Sequence, residues 1–212
     1  AHFDLVIDLQ GLIKSSFITG LSRAPHRLGF DRQDCREPLS AWATNIKAPA
    51  TLDIPHVVDK NRALLQPLGL DPEIPEFNLD CTEEAERYIE DKLGQLLETS
   101  PAPVALHAAV GYPTKAWPLD RFAALADHIH REFELPVLLT WGPGDRDQAE
   151  TIGKLMQEPY TLAPETTTFQ QALALYKRLR LFISGDTGPL HLCAAMGVPT
   201  VSIYGPTDPA RN

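Results

Sequence analysis

The sequence predicts an α/β protein built on parallel sheets, and three observations carry that reading. From residue 103 onward, short apolar runs alternate with amphipathic helical stretches. Most of the apolar runs end in turns rich in Gly, Asp and Pro. The composition, 43% hydrophobic and 22% charged over 212 residues, is that of a globular chain long enough to bury a core. Strands that alternate with helices imply right-handed βαβ units, hence an open, doubly wound sheet that binds ligands at the carboxyl ends of its strands.

Taken in order, FDLVID (3–8) reads as a strand and 12–21 as a helix. A short strand is expected around 27–30, with helices at 38–45 and 56–68. Thr82 is an N-cap for a helix over 83–98. Pro101 and Pro103 mark an extended linker, which divides the chain into 1–98 and 99–212. The second half then gives a strand at 103–108, a helix at 119–133, a strand at 136–141 and a helix at 146–157. Thr168 caps a helix over 169–177. A strand at 181–184, a helix at 189–196 and a strand at 200–204 complete the order. The chain opens almost directly into a strand and ends just after another, which reads as two lobes short at both ends.

The formal net charge is −9, but it is unevenly placed. Residues 71–91 hold nine acids and one base, while 14–47 hold six bases and three acids. The acidic stretch reads as a solvated loop and helix face. The acid excess argues against nucleic acid as a partner. No run of about 18 apolar residues exists to span a membrane. Cys35, Cys81 and Cys193 are far apart and form no CxxC, so neither a disulfide framework nor a metal site is expected. There is also no GxGxxG after a strand and no GxxxxGK[ST], against dinucleotide oxidoreductases and P-loop NTPases.

The chemistry concentrates in 181–208. A strand ends at Ser184, Gly185 permits a tight turn, and a helix begins near Pro189. The free N–H groups and positive dipole end of that helix suit a phosphate. Gly188 lets a ligand approach the backbone. Thr187 can cap the helix or bind a phosphate oxygen, and His191 lies within reach of the same ligand. Asp186 would repel a phosphate, so its roles are to orient the loop or accept hydrogen bonds. A plain strand-to-helix turn with an Asp/Thr cap is the alternative. DTG as an aspartic-protease dyad is excluded by the α/β surroundings. Lys115, in the loop after strand 103–108, is either a phosphate-neutralising charge or a solvated lysine. Trp141 and Gly142 end the next strand on the same edge, and Trp141 either stacks on a base or packs. In the first half, Lys14 and Arg36 precede or open helices within the basic stretch. They either bind an anionic substrate or are surface charges.

FDLVIDLQGLIKS, CREPLSAW, HAAVGYPTKAWP, LLTWGPGDRDQA and SGDTGPLHLCAAMGVPTVSIYGPTDP, in that order, resemble the bacterial lipopolysaccharide heptosyltransferases of glycosyltransferase family 9. QGLIKS and REPL favour the type I branch, which joins heptose to the Kdo sugar of the inner core. The resemblance implies the GT-B architecture: two Rossmann-like lobes with parallel sheets, both incomplete in this chain. It implies an inverting, metal-independent transfer from ADP-heptose, with no cofactor. Lys115, Trp141, Gly142, Asp186, Thr187, Gly188 and His191 would then hold the donor. Lys14 and Arg36 would face the acceptor, a lipid A–Kdo molecule at the membrane surface. The implied catalytic base is an Asp in a segment ahead of FDLVID, so no residue of this chain is assigned that role. Ala109 and Val110 stand where hydroxyl residues are common. The resemblance implies a cytoplasmic monomer, peripheral to the inner face of the membrane. A nucleotide-sugar epimerase of the same two-lobe architecture and a non-catalytic nucleotide-sugar-binding relative are the alternatives.

Overall fold

The structure, a computed structural model, describes residues 2–49, 51, 53, 54, 56–70, 77–99 and 101–211. The chain divides into two compact units, one comprising 1–75 with 208–212 and the other 76–207.

The first unit carries a parallel three-stranded sheet in the order β1 (Leu5–Asp8), β2 (His26–Gly29), β3 (Ile46–Lys47). Between β1 and β2 runs α1 (Ile13–Leu21), which is amphipathic in an inverted sense. Its buried residues are Ser16 and Thr19, whereas Phe17, Ile18 and Leu21 are exposed. The close packing behind it depends on Gly20, where a Cβ would come within 2.7 Å of the Trp42 ring. The expected helix at 38–45 forms as a 3₁₀ turn over Pro38–Ala43. The one at 56–68 breaks into α2 (Val57–Ala63) and a 3₁₀ turn over Gln66–Leu68. Pro67 has no N–H to give to Ala63, so the α-helix cannot continue through it.

The second unit is a parallel five-stranded sheet. Its strands are β4 (Val104–His107), β5 (Val137–Thr140), β6 (Thr161–Leu162), β7 (Leu181–Gly185) and β8 (Thr200–Ile203), in the order β6-β5-β4-β7-β8. In chain order within the unit this is 3-2-1-4-5, the doubly wound arrangement. The helices are α3 (Glu83–Thr99), α4 (Leu119–Phe133), α5 (Arg146–Leu155), α6 (Phe169–Tyr176) and α7 (Gly188–Ala195). Strand alternation sends residues to two cores. Ala105, Leu138 and Phe182 face α3, α6 and α7, where they meet Ile89, Ala174 and Leu190. Val104, Leu106, Val137, Leu139 and Ile183 face α4 and α5, where they meet Phe122, Ala126 and Ile152.

Two departures from the sequence reading stand out. The boundary does not fall at 98/99: α3 belongs to the second unit, because Ala85, Ile89 and Leu93 are buried in that unit's core. The two-residue strands β3 and β6 were not expected, being too short to show a period. The described acidic helix face is exposed, as expected, and it is also paired. Glu86 and Glu90 on α3 pair with Lys177 (2.8 Å) and Arg178 at the end of α6, and Tyr88 donates to the Glu165 carbonyl at 2.7 Å. Residues 71–76 of that stretch, and Ser100 of the expected linker, lie outside the described residues. Thr82 does cap α3, accepting from the Ala85 N–H at 3.3 Å.

Candidate active site

In the doubly wound order the chain reverses direction of growth between β4 and β7, and the crevice at the carboxyl ends of those strands is the ligand side. The loop after β4 carries Lys115 and the loop after β7 carries Asp186. Topology thus brings together residues 71 positions apart, and Lys115 Nζ lies 2.5 Å from Asp186 Oδ2. His191, on the first turns of α7, places Nε2 3.1 Å from Asp186 Oδ1. Thr207, from the loop after β8, donates to the same carboxylate. Burial pushes the Asp186 carboxyl up, but the donors outweigh it and hold the pKa below the usual carboxylate value. Asp186 is therefore an anion whose charge is spoken for. Lys115 spends one of three N–H donors on it and keeps two for a ligand.

Close approach of backbone makes this cluster. Gly185 lies within β7, not at a tight turn as expected from sequence. Its lack of a side chain serves packing, since a Cβ there would come within 2.8 Å of Val110 in the Lys115 loop. On the other side, a Cβ at Gly205 would meet the Thr114 carbonyl at 3.2 Å. Thr187 caps α7: its Oγ1 accepts from the Leu190 N–H at 3.4 Å and contacts Ser184 Oγ at 3.1 Å. Gly188 begins α7 with open space where a side chain would be.

Beside the cluster lies a cleft of about 670 Å³, lined by His107, Trp141, Gly142, Pro143, Thr166–Thr168, Phe169, Tyr176, Gly188 and His191, among others. Trp141 both packs and presents a face. Its Nε1–H donates to the Ala163 carbonyl at 2.9 Å, and the Arg146 guanidinium sits 5.4 Å from its ring centroid. The start of α6, capped by Thr168 Oγ1 to the Gln171 N–H at 3.2 Å, reaches the same cleft. The sequence had named four of these residues, Trp141, Gly142, Gly188 and His191, as donor-site candidates, but His107, Tyr176 and the Thr166–Phe169 turn were missed. For His107 the signal was present, because it is the last residue of the expected strand and so stands on the ligand edge.

In the first unit, Arg36 lines a smaller cavity of about 260 Å³ with Lys60, Arg211, Gln10, Asn61 and Asp34. Asn61 Oδ1 is buried there without a hydrogen-bond partner. Lys14 does not join it; it is exposed on α1. Asp34 is committed to Thr51, accepting from its N–H and hydroxyl at 3.1 and 2.9 Å. Asp8, at the end of β1, likewise holds its own turn through the Gln10 and Gly11 N–H groups. Among the described residues no cluster of three His, Cys, Asp or Glu has metal-holding geometry.

The comparisons with known proteins agree with this layout. A lipopolysaccharide heptosyltransferase 1 of Pseudomonas aeruginosa is 32% identical over 208 residues, covering 98% of this chain and 56% of that protein. A solved structure described as E. coli heptosyltransferase WaaC with ADP-2-deoxy-2-fluoro heptose matches with TM-score 0.73 at 25% identity, over 99% of this chain and 64% of its own. A family 9 glycosyl transferase from Veillonella parvula matches the fold with TM-score 0.80 at 23% identity, over 100% of this chain and 60% of its own. The chain thus spans a little over half the length of the Pseudomonas relative. The model of glycosyltransferase family 9 (heptosyltransferase) matches residues 1–212, and the chain belongs to that family.

Proposed function

We propose that the chain is part of an inverting heptosyltransferase that moves heptose from ADP-heptose to the Kdo sugar of the lipopolysaccharide inner core, without a metal ion. The observation that carries this reading is the Lys115–Asp186–His191 cluster at the sheet's switch point, set at the α7 N-terminus beside a cleft with aromatic walls. A diphosphate fits the first part and a nucleoside the second. The family and the ADP-sugar analogue named for the E. coli relative support the choice of donor.

In the transfer, an acceptor hydroxyl attacks the anomeric carbon and loses its proton to a general base. A bond from that carbon to the acceptor oxygen forms as the bond to the diphosphate oxygen breaks, with inversion. The departing ADP gains negative charge. Lys115 and the α7 N–H groups are placed to stabilise it, which is the work a metal would otherwise do. Asp186 holds the Lys115 ammonium and the His191 ring in position. The base lies outside the residues assigned here.

On the acceptor side, the cavity with Arg36, Lys60 and Arg211 suits an anionic sugar. We further place the chain, as a monomer, at the inner membrane surface. The inverted helix α1 supports this: Ile18 and Leu21 are 73% and 78% exposed, Trp42 is 60% exposed, and Lys14 and Arg23 flank them. Apolar side chains fringed by cations match an anionic lipid surface.

Titration calorimetry with ADP tests the donor site. ADP is expected to bind, and Lys115→Ala to weaken it at least tenfold, about 1.4 kcal/mol. Absence of ADP binding, or epimerisation of UDP-sugars with no acceptor present, would overturn the reading.

A further inference from the structure

His107 ends β4 at the carboxyl edge of the sheet, next to the switch point, and its buried ring lines the cleft. Its Nδ1 lies 3.2 Å from Thr140 Oγ1, on the neighbouring strand. The Thr140 hydroxyl in turn donates to the Leu106 carbonyl at 3.2 Å. A hydroxyl has one proton, and a carbonyl can only accept. The Thr140 hydroxyl can turn its proton to the ring or to Leu106; turned to Leu106, its Oγ1 accepts from the ring and the imidazole proton sits on Nδ1. In a neutral ring of this tautomer, Nε2 is a hydrogen-bond acceptor. The ring is neutral because burial lowers its pKa to about 4. Phe182 stacks on it at 6.0 Å with an interplanar angle of 29° and fixes its plane.

We infer that His107 carries its proton on Nδ1 and that its Nε2 is a positioning acceptor for the nucleoside of the donor, taking a hydrogen bond from a ribose hydroxyl or from the exocyclic amine of the base. The inference rests on the reading that a nucleotide occupies this cleft. Its physical basis is that a ligand covering Nε2 takes it out of water, a cost that a ligand bearing a matching donor offsets and an analogue lacking it does not. The aromatic walls around it supply apolar contact, so Nε2 gives this end of the cleft a polar, directional requirement.

Two measurements test it. Histidine ¹⁵N spectra of the unmodified protein between pH 6 and 8 should show His107 protonated at Nδ1 and bare at Nε2, with the Nε2 resonance moving on addition of ADP. Calorimetry should compare ADP with 2′-deoxy-ADP, 3′-deoxy-ADP and inosine diphosphate, on wild type and His107→Phe. One analogue should bind wild type about tenfold more weakly than ADP, and His107→Phe should bind ADP and that analogue equally. Which analogue responds identifies the ligand group. An Nε2-protonated ring, an Nε2 signal indifferent to bound ADP, or an equal loss for all ligands in His107→Phe would overturn the inference while leaving ADP binding intact. Failure of ADP to bind wild type at all would instead overturn the nucleotide reading, and this inference with it. The spectra need no variant, so a His107→Phe protein that does not fold leaves the test standing.

Discussion

Asp186 is an anion set where a diphosphate is expected, and its partners set the sign of two substitutions. With Lys115, His191 and Thr207 on one carboxylate, the local charge is balanced before a ligand arrives. Asp186→Asn keeps the shape and removes the negative charge, so ADP affinity should hold or rise at low salt, whereas Lys115→Ala should lower it. Transfer by the full enzyme should fall in both, because Asp186→Asn loosens the lysine it positions. Calorimetry beside a transfer assay separates the two effects. The pH dependence of stability belongs to this scale as well. Burial lowers the folded pKa of His107 to about 4 despite the opposing charge of Asp145. The unfolded ring takes up its proton near pH 6.5, the folded one only near 4. The contribution of this residue is therefore fully present above about pH 6.5 and is lost as pH falls towards 4, a swing of roughly 3 kcal/mol. Urea unfolding midpoints across that window should decline in wild type and flatten in His107→Gln.

At the scale of elements, α3 and α1 show opposite uses of an amphipathic helix. The apolar side of α3 is absorbed by the second unit, where Ile89 is fully buried and Leu93 nearly so. Ile89→Ala should cost roughly 2–5 kcal/mol, read as a lower urea midpoint. The surface pairs of α3 with Lys177 and Arg178 should matter far less, at about 0–1 kcal/mol each, because they are exposed. Helix α1 buries Ser16 and Thr19 instead, and Ser16 Oγ is satisfied by the Ile13 carbonyl at 2.7 Å. Enlarging Ser16 to Leu should therefore destabilise by about 1–3 kcal/mol, through overpacking. Ile18→Glu with Leu21→Glu should leave stability within about 0.5 kcal/mol per site. The same pair should abolish sedimentation of the full-length protein with phosphatidylglycerol vesicles. Unchanged vesicle binding would remove α1 from the membrane surface.

At the scale of the whole molecule, the residues of the proposed donor site all lie within the second unit, so ligand binding should report there. Hydrogen exchange with saturating ADP should slow in 107–118, 140–145 and 166–192 and leave α1 and β1–β3 unchanged. The order of the longer strands and helices, the caps Thr82 and Thr168, and the start of α7 after a strand end were legible in the sequence, because periodicity and capping act over a few residues. So were the separate pieces of the Lys115–Asp186–His191 cluster, since a strand end followed by Gly-Asp-Thr-Gly marks a ligand edge in any doubly wound sheet. Tertiary structure alone decided three matters, each a contact between segments distant in sequence. It assigned α3 to the second unit, because no local pattern says which core will take Ile89. It tied Lys115 to Asp186, because that pairing follows from β4 and β7 lying side by side. It set the ring of His107 against Thr140, a threonine 33 residues away on the neighbouring strand whose hydroxyl also reaches the Leu106 carbonyl.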